Sequence, residues 1–129
     1  MRVERLDHLV LTVADIDASC AFYQRVLGMQ VVTFGQGRKS LAFGQQKINL
    51  HRLGVEFEPK ALRPTPGSAD LCLLVSTPLA EVMTHLQRCA VVIEEGPVPR
   101  TGATGALLSV YIRDPDRNLI ELANLQEEA

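Results

Sequence analysis

The sequence predicts an α+β fold built from two βαβββ modules. Each half of the chain contains a strand-like run, a segment with helical spacing and three further strand-like runs. The halves also align with each other, since Val13 falls on Val75 at an offset of 62 and residues 47–50 fall on residues 119–122 at an offset of 72. Such a repeat is typical of paired modules that build one site between them. With 129 residues, 47% of them hydrophobic, the chain suits a single domain, residues 1–129.

The first module spans about residues 4–53. Apolar residues with helical spacing follow its first strand, and Gly28 ends that pattern. Short turn signals rich in glycine separate the later strands. The predicted strands are residues 7–13, 29–34, 40–44 and 47–53, and the helical stripe consists of Ile16, Cys20, Tyr23 and Leu27.

The second module spans about residues 70–125 and follows a polar, proline-containing connector at residues 54–69. Its helix is expected to have Thr77 as the N-cap and Pro78 at the first helical position. The glycine-rich stretch at residues 96–105 is predicted to be a long turn, which accounts for the difference between the two offsets. The predicted strands are residues 70–75, 90–96, 106–113 and 118–124.

Charge and composition favour a small-molecule partner. The net charge is −2, the pI is about 5.9, and no basic run suggests nucleic acid or an anionic membrane as a partner. No apolar stretch approaches the roughly 18–20 residues of a membrane-spanning helix, and no cleavable signal is recognisable, so we expect a cytoplasmic protein. The three cysteines lack the spacing of a disulfide framework or a zinc site.

Alternation along the strands places polar groups on one face of each module. Residues two apart in a strand point the same way, so the first and last strands contribute His8 with Asn49 or His51 in one module and Asp70 with Glu121 in the other. A buried carboxylate is costly unless it is paired, hydrogen-bonded or bound to a metal. Imidazole with carboxylates is a ligand set for a divalent first-row ion.

Each of these residues also has a simpler interpretation. His8 and His51 are equally compatible with hydrogen-bonded histidines at a strand edge. Asp70 follows a turn and suits the end of a loop, and Glu121 has a possible partner in an arginine. Asp114 and Asp116 are predicted to shape a turn between two strands and to have no chemical role.

Two segments, "DHLVLTVADIDASCAFYQRVLGM" and "VYIRDPDRNLIELAN", resemble the opening and closing segments of the vicinal oxygen chelate superfamily. That superfamily includes glyoxalase I, fosfomycin- and bleomycin-resistance proteins and extradiol dioxygenases. The stretches "INLHRLGVEFEPKA" and "IEEGPVPRTGA" are similar to its glyoxalase domain-containing protein 5 branch. The resemblance implies that the modules pair into a curved mixed sheet around a central cavity, where a substrate chelates a divalent metal through adjacent oxygens. It also implies a homodimer.

The resemblance assigns candidate metal ligands residue by residue. His8 matches the first-strand ligand and Glu121 the last-strand ligand. Asp70 stands where most members carry histidine, and Asn49 stands where glyoxalase I carries glutamate. His51, on the same face as Asn49, is an alternative ligand. The expected cofactor is one divalent ion per site, of nickel, manganese, iron, zinc or magnesium.

Three activities follow from the resemblance. The first is a metal-dependent lyase or isomerase of glyoxalase I type, with Glu121 as the base that moves a proton between adjacent carbons. The second is a ring-cleaving dioxygenase that uses ferrous iron, with Tyr111 as a second catalytic residue. The third is a metal-free protein of bleomycin-resistance type, which sequesters a ligand between two chains.

Three further residues are candidates for substrate binding. Asn49 lies on the predicted cavity face, and Ser109 shares a face with Tyr111. Arg100, on the loop at residues 96–105, suits an anionic group of a substrate. The simpler interpretations are a tyrosine that packs on the sheet and an exposed arginine on a flexible hairpin.

Overall fold

The computed structural model describes residues 1–127 and contains the βαβββ order twice. The described chain forms two compact units, Met1–Ser68 and a second that begins at Ala69. Neither helix in the described range is long and apolar enough to cross a membrane. The elements of unit 1 are β1 (His8–Val13), α1 (Ile16–Arg25), β2 (Gln30–Phe34), β3 (Arg38–Phe43) and β4 (Gln46–Arg52). Those of unit 2 are β5 (Asp70–Leu74), α2 (Leu79–Arg88), β6 (Glu95–Thr101), β7 (Ala106–Arg113) and β8 (Leu119–Leu125).

Each unit contains one four-stranded mixed sheet. The strand order is β1-β4-β3-β2 in unit 1 and β5-β8-β7-β6 in unit 2. In both sheets the first strand pairs in parallel with the last, and the remaining pairs are antiparallel. The predicted α+β class and the repeated βαβββ order are therefore confirmed.

The strand registers also confirm the internal repeat. Val10 of β1 lies opposite Asn49 of β4, and Cys72 of β5 lies opposite Glu121 of β8. Val10 and Cys72 differ by 62 in number, while Asn49 and Glu121 differ by 72, and these are the two offsets of the sequence alignment. Asn49 and Glu121 therefore occupy equivalent positions in the two units.

The core of each unit consists of apolar residues on alternate strand positions and on one stripe of the helix. Burial of each such side chain contributes roughly 1.5–3 kcal/mol. In unit 1 the core includes Leu11, Val13, Tyr23, Val26, Leu41, Ile48 and Leu50. In unit 2 it includes Leu79, Val82, Leu86, Val110, Ile112, Ile120 and Leu122.

The start of α2 differs from the prediction. The helix begins at Leu79, and the N-cap is Pro78, which makes no side-chain capping bond. Asn124 of β8 replaces the expected Thr77 cap, because its Oδ1 accepts a hydrogen bond from the Leu79 N–H at 2.7 Å. The Asn124 Nδ2 donates to the Val75 carbonyl at 2.8 Å. One amide from a distant strand thus satisfies the backbone at the helix N-terminus.

The sixth strand is also displaced from its predicted position. Residues 90–96 were expected to form it, but β6 runs from Glu95 to Thr101 and takes up much of the predicted turn. Pro97 and Pro99 obscured this strand in the sequence. Proline is tolerated because β6 is the edge strand of its sheet, where its missing N–H removes few ladder bonds. Arg100 consequently lies on a strand and not on a mobile loop.

The turn at residues 114–118 is confirmed as structural. Asp114 Oδ1 accepts hydrogen bonds from the backbone N–H groups of Asp116 and Asn118 at 3.0 and 2.9 Å. The Asn118 Nδ2 donates to Asp114 Oδ2 at 2.8 Å. Arg117 takes a positive φ of 69° within this turn.

Gly96 allows β6 to lie close against β7. Its φ is +117°, and a Cβ at this position would lie 2.5 Å from the Ser109 carbonyl oxygen and 2.9 Å from the Val110 Cα. Both neighbours are backbone atoms of β7, so they have little freedom to move away. Glycine at residue 96 therefore fixes the spacing between β6 and the strand that carries Ser109 and Tyr111.

We expect Gly96→Ala to lower the free energy of unfolding by more than about 2 kcal/mol, since strain at positive φ adds to a backbone clash. Gly37→Ala is the matched control, because Gly37 also has a positive φ, +79°, but a Cβ added there would meet no atom within 4 Å. That variant is expected to lose only about 1 kcal/mol. Denaturant unfolding of both variants checks this, and equal losses would contradict the clash.

Candidate functional site

The carboxylate of Glu121 lies among hydrogen-bond donors in unit 2. The Ser109 Oγ, fully buried on β7, donates to Glu121 Oε2 at 2.7 Å. The Cys72 thiol, opposite on β5, also donates to this carboxylate. No lysine or arginine forms one of the described ion pairs with Glu121, so the alternative of an arginine partner is not supported within residues 1–127.

The surroundings of Cys72 keep its thiol protonated. Burial and the neighbouring Glu121 carboxylate raise the pKa of the Cys72 thiol to about 11. At neutral pH the sulfur therefore remains a donor and adds no second negative charge beside Glu121. Two neutral donors therefore contact the Glu121 carboxylate, and the Arg100 guanidinium interacts with it electrostatically without a described ion pair.

Tyr111 and Arg100 lie on the strands beside Glu121. Tyr111 is directly opposite Glu121 in the β7–β8 register. The Arg100 Nε donates to the Tyr111 hydroxyl at 2.8 Å, and the guanidinium lies 5.3 Å from the centre of the tyrosine ring. Glu95 lies 3.5 Å from the same guanidinium. The hydrogen bond to Tyr111 raises the pKa of Arg100, which therefore carries a fixed positive charge next to the Tyr111 hydroxyl.

Asp70 lies near this group but is not bonded to Glu121. It is the first residue of β5 and pairs with Leu119, whereas Glu121 pairs with Cys72 two residues along. The Asp70 side chain is exposed. Unit 2 thus places two carboxylates on one face of adjacent parallel strands, one exposed and one held by donors.

In unit 1, His8 has a carboxylate partner that the sequence analysis did not consider. The His8 Nδ1 lies 2.7 Å from Asp7 Oδ2. This contact lowers the pKa of Asp7 and directs the other ring nitrogen, Nε2, away from it. Metal-binding histidines commonly have such a carboxylate on the nitrogen that does not bind the metal.

His51 has a different environment. It is buried, with 4% of its surface exposed, and its Nε2 lies 3.3 Å from the Arg38 Nη2. Burial and the adjacent guanidinium lower the pKa of His51, so the ring is neutral at pH 7 and accepts this hydrogen bond. The nitrogen that would bind a metal is therefore occupied by Arg38.

Asn49 is buried beside these residues and lies opposite Ser40 in the β3–β4 register. Its Oδ1 is buried and has no hydrogen-bond partner. A buried carbonyl without a partner is costly, so this oxygen is available to accept a hydrogen bond.

Both units contain residue types that bind divalent metals. Among residues 1–127, no three or more histidine, cysteine, aspartate or glutamate side chains form a group that would hold an ion. Unit 1 offers the His8 imidazole, and unit 2 offers the carboxylates of Asp70 and Glu121. Imidazole and carboxylate donors suit manganese, iron, nickel or zinc, with further positions left for water or substrate.

Three contributors were missed by the sequence analysis. Cys72 lies two residues after Asp70 in the same strand, so strand alternation in the sequence could have placed its thiol on the same face. Asp7 is adjacent to the candidate ligand His8. Arg38 was assigned to a turn, because the predicted third strand began at residue 40, whereas β3 begins at Arg38.

Comparison with known proteins places these features in a family context. The model of the Glyoxalase/Bleomycin resistance protein/Dioxygenase superfamily matches residues 5–122. Virulence protein STM3117 of Salmonella typhimurium is 59% identical over 123 residues, which cover 95% of this chain and 85% of the relative. Glyoxalase domain-containing protein RDO1 of Mycosarcoma maydis is 58% identical over 127 residues, which cover 98% and 72% of the two chains.

Solved structures show the same fold. The crystal structure of STM3117 has a TM-score of 0.96 and 58% identity, with 98% of this chain and 100% of that chain covered. A lactoylglutathione lyase from Agrobacterium tumefaciens has a TM-score of 0.73 at 23% identity, with 96% of both chains covered. TnmS3, an antibiotic binding protein from Streptomyces, has a TM-score of 0.76 at 20% identity, with 98% and 99% covered. The last two likenesses concern the fold alone.

Alkylation of Cys72 measures its proximity to Glu121. In a Cys20→Ser, Cys89→Ser background we expect little reaction with iodoacetamide at pH 8 and a midpoint near pH 11. Glu121→Gln removes the carboxylate charge and is expected to raise the rate at pH 8 about threefold or more, since a lower thiol pKa leaves more thiolate. Glu81→Gln, on α2, is the control. An unchanged rate in the Glu121 variant would show that the two groups are not coupled.

Proposed function

The chain belongs to the glyoxalase, bleomycin resistance protein and dioxygenase superfamily, and from this premise we propose that it is a divalent-metal-dependent lyase or isomerase of glyoxalase I type acting on a small oxygenated substrate. The observation that carries the proposal is the Glu121 carboxylate, which is held by Ser109 and Cys72 and forms no described ion pair among residues 1–127. Proton transfer between adjacent carbons requires such a positioned base.

Three residues of unit 2 and one residue of unit 1 have proposed roles. Ser109 orients Glu121, because its hydroxyl is used in that bond and is fully buried. Tyr111 donates its hydroxyl proton to a substrate oxygen, and Arg100 favours the phenolate that would follow by donating to the same oxygen. Asn49 binds a polar group of the substrate with its unpartnered Oδ1.

The proposed cofactor is one divalent ion. His8 and Glu121 are the primary candidate ligands, followed by Asp70, which has no competing cation within ion-pair distance among the described residues. The Nε2 of His51 can bind a metal only if its contact with Arg38 is broken. A bound ion would polarise oxygens of the substrate and make the neighbouring C–H bond more acidic.

We expect nickel, manganese or zinc to raise the melting temperature of chelator-treated protein. An ion at one hundred times its Kd stabilises the folded state by about 2.7 kcal/mol. His8→Ala and Glu121→Gln are each expected to remove most of that shift, whereas His85→Ala, on the exposed part of α2, is expected to retain it. Full metal stabilisation in both site variants would exclude these ligands, whereas no stabilisation of the natural protein by any of the three metals would favour a metal-free binding protein.

Activity assays separate the two enzymatic candidates. Isomerisation of a hemithioacetal by protein loaded with nickel, manganese or zinc is the expected result, with a loss of at least about a hundredfold in Glu121→Gln. The second candidate, a ring-cleaving dioxygenase, is favoured by Tyr111 lying opposite Glu121. Oxygen uptake with a catechol and ferrous iron, without hemithioacetal activity, would establish that candidate instead.

We also propose that the protein forms a homodimer. Edge strands β1 and β5 expose the apolar side chains of Val10 and Leu74, at 44% and 62% of their surface. Apolar edges of this kind are usually covered by another surface. Sedimentation velocity at twice the chain mass supports the dimer, and sedimentation as a single chain at micromolar concentration contradicts it.

A further inference from the structure

A positively charged face with aromatic walls lies in unit 1. It consists of Arg38 on β3 and Lys47, Asn49 and His51 on β4, with Phe34 of β2 at its side; we term it the Arg38 face. Strand alternation places Lys47, Asn49 and His51 on the same side of β4. Phe57, from the segment after β4, covers the end near His51, where the two rings lie 5.6 Å apart.

The Arg38 guanidinium is held between two aromatic rings. Its central carbon lies 5.0 Å from the Phe34 ring centre and 4.5 Å from the Phe57 ring centre. One terminal nitrogen bonds His51, while the Nε is buried without a partner. The two rings limit the directions from which an acceptor can approach the guanidinium. Arg38 as a whole is half-buried, but a buried donor atom without a partner is unfavourable and indicates a missing acceptor.

A second cation and an unpaired amide lie on the same face. The Lys47 Nζ lies 4.2 Å from the Phe34 ring centre. Asn49 has 6% of its surface exposed and a buried Oδ1 without a partner. The Arg38 guanidinium carbon and the Lys47 Nζ lie 5.0 and 4.2 Å from the centre of the same Phe34 ring, so the two cations are within reach of one small molecule.

The acidic groups around this face are already engaged. Glu56 lies near His51, but its carboxylate is 3.7 Å from the Lys60 Nζ. Asp7 interacts electrostatically with Lys47, but its carboxylate contacts the ring of His8. Within residues 1–127, neither Arg38 nor Lys47 is in a described ion pair. The face therefore has two cations whose charge no carboxylate neutralises directly.

We infer that the Arg38 face binds the oxyanion of a small ligand, a carboxylate or a phosphate group. The Arg38 Nε and the Lys47 Nζ are the donors, Phe34 and Phe57 provide apolar walls, and the Asn49 side chain contacts a polar group of the same ligand. The site belongs to unit 1 alone and requires no metal. The inferred anion site goes beyond the proposed function. It rests on that function only for the identification of the bound anion as part of the substrate.

The Arg38 Nε–H resonance in ¹H–¹⁵N spectra reports directly on this site. Chelator-treated protein is titrated with inorganic phosphate and, separately, with acetate at constant ionic strength. We expect a saturable shift of this resonance with one anion or both. A shift with phosphate alone identifies a phosphate site, and a shift with acetate alone identifies a carboxylate site. No shift with either anion would overturn the inference, whatever the outcome for metal binding or hemithioacetal turnover.

Variants test which cations bind the anion. Arg38→Gln is expected to weaken binding about tenfold or more, and Lys47→Gln about threefold, followed by amide shifts of β3 and β4. Arg38→Lys retains the charge but lacks the Nε–H, so it is expected to bind more weakly than the natural protein and more tightly than Arg38→Gln. It also provides the test if the glutamine variant does not fold.

The control is Lys39→Gln, which removes one positive charge from the adjacent residue of β3. Lys39 points to the opposite side of the strand and donates to the Thr33 hydroxyl at 2.7 Å. Unchanged binding in this variant is expected. An equal loss in Lys39→Gln and Arg38→Gln would show that net charge alone attracts the anion, and the proposed site would then be rejected.

Discussion

The candidate site depends on the parallel pairing of the first and last strands of each unit. This pairing sets Cys72 opposite Glu121, and the adjacent antiparallel pairing sets Tyr111 on the other side of the same residue. A one-residue slip would turn Glu121 into the apolar layer occupied by Ile120 and Leu122. The register is resistant to such a slip, because those two side chains are almost completely buried. The hydrophobic core thus positions the carboxylate.

The two units use one architecture for different chemistry. Glu121 and Asn49 are equivalent in register, yet the first is an acid held by a hydroxyl and a thiol, and the second is a neutral amide among cations. Arg38 and Lys47 make unit 1 attractive to anions, whereas Asp70 and Glu121 make unit 2 attractive to metal cations.

The sequence was sufficient to predict most of the fold. Alternation and helical spacing are local signals, and the repeat offsets of 62 and 72 reappear in the strand registers. The errors arose where tertiary structure decides. Pro97 is acceptable in β6 only because that strand is an edge, and the α2 N-terminus is capped by Asn124 from a strand 45 residues away. Neither fact is visible in the local sequence.

Candidate residues could be named from the sequence, but their partners could not. Alternation along the strands placed Glu121 and His51 on polar faces. Only the structure shows that Ser109 donates a hydrogen bond to Glu121 and that Arg38 is bonded to the Nε2 of His51. Arg38 was missed because the start of its strand was placed two residues too late. Prediction of a side-chain contact requires the register between strands, which comes from the packed core.

The most direct test of the account is the metal content of protein purified without chelators. We expect about one divalent ion per chain in the natural protein, and a near-complete loss in Glu121→Gln, which keeps the size of the side chain and removes its charge. An undiminished metal content in the Glu121→Gln protein would contradict the central role assigned to this carboxylate.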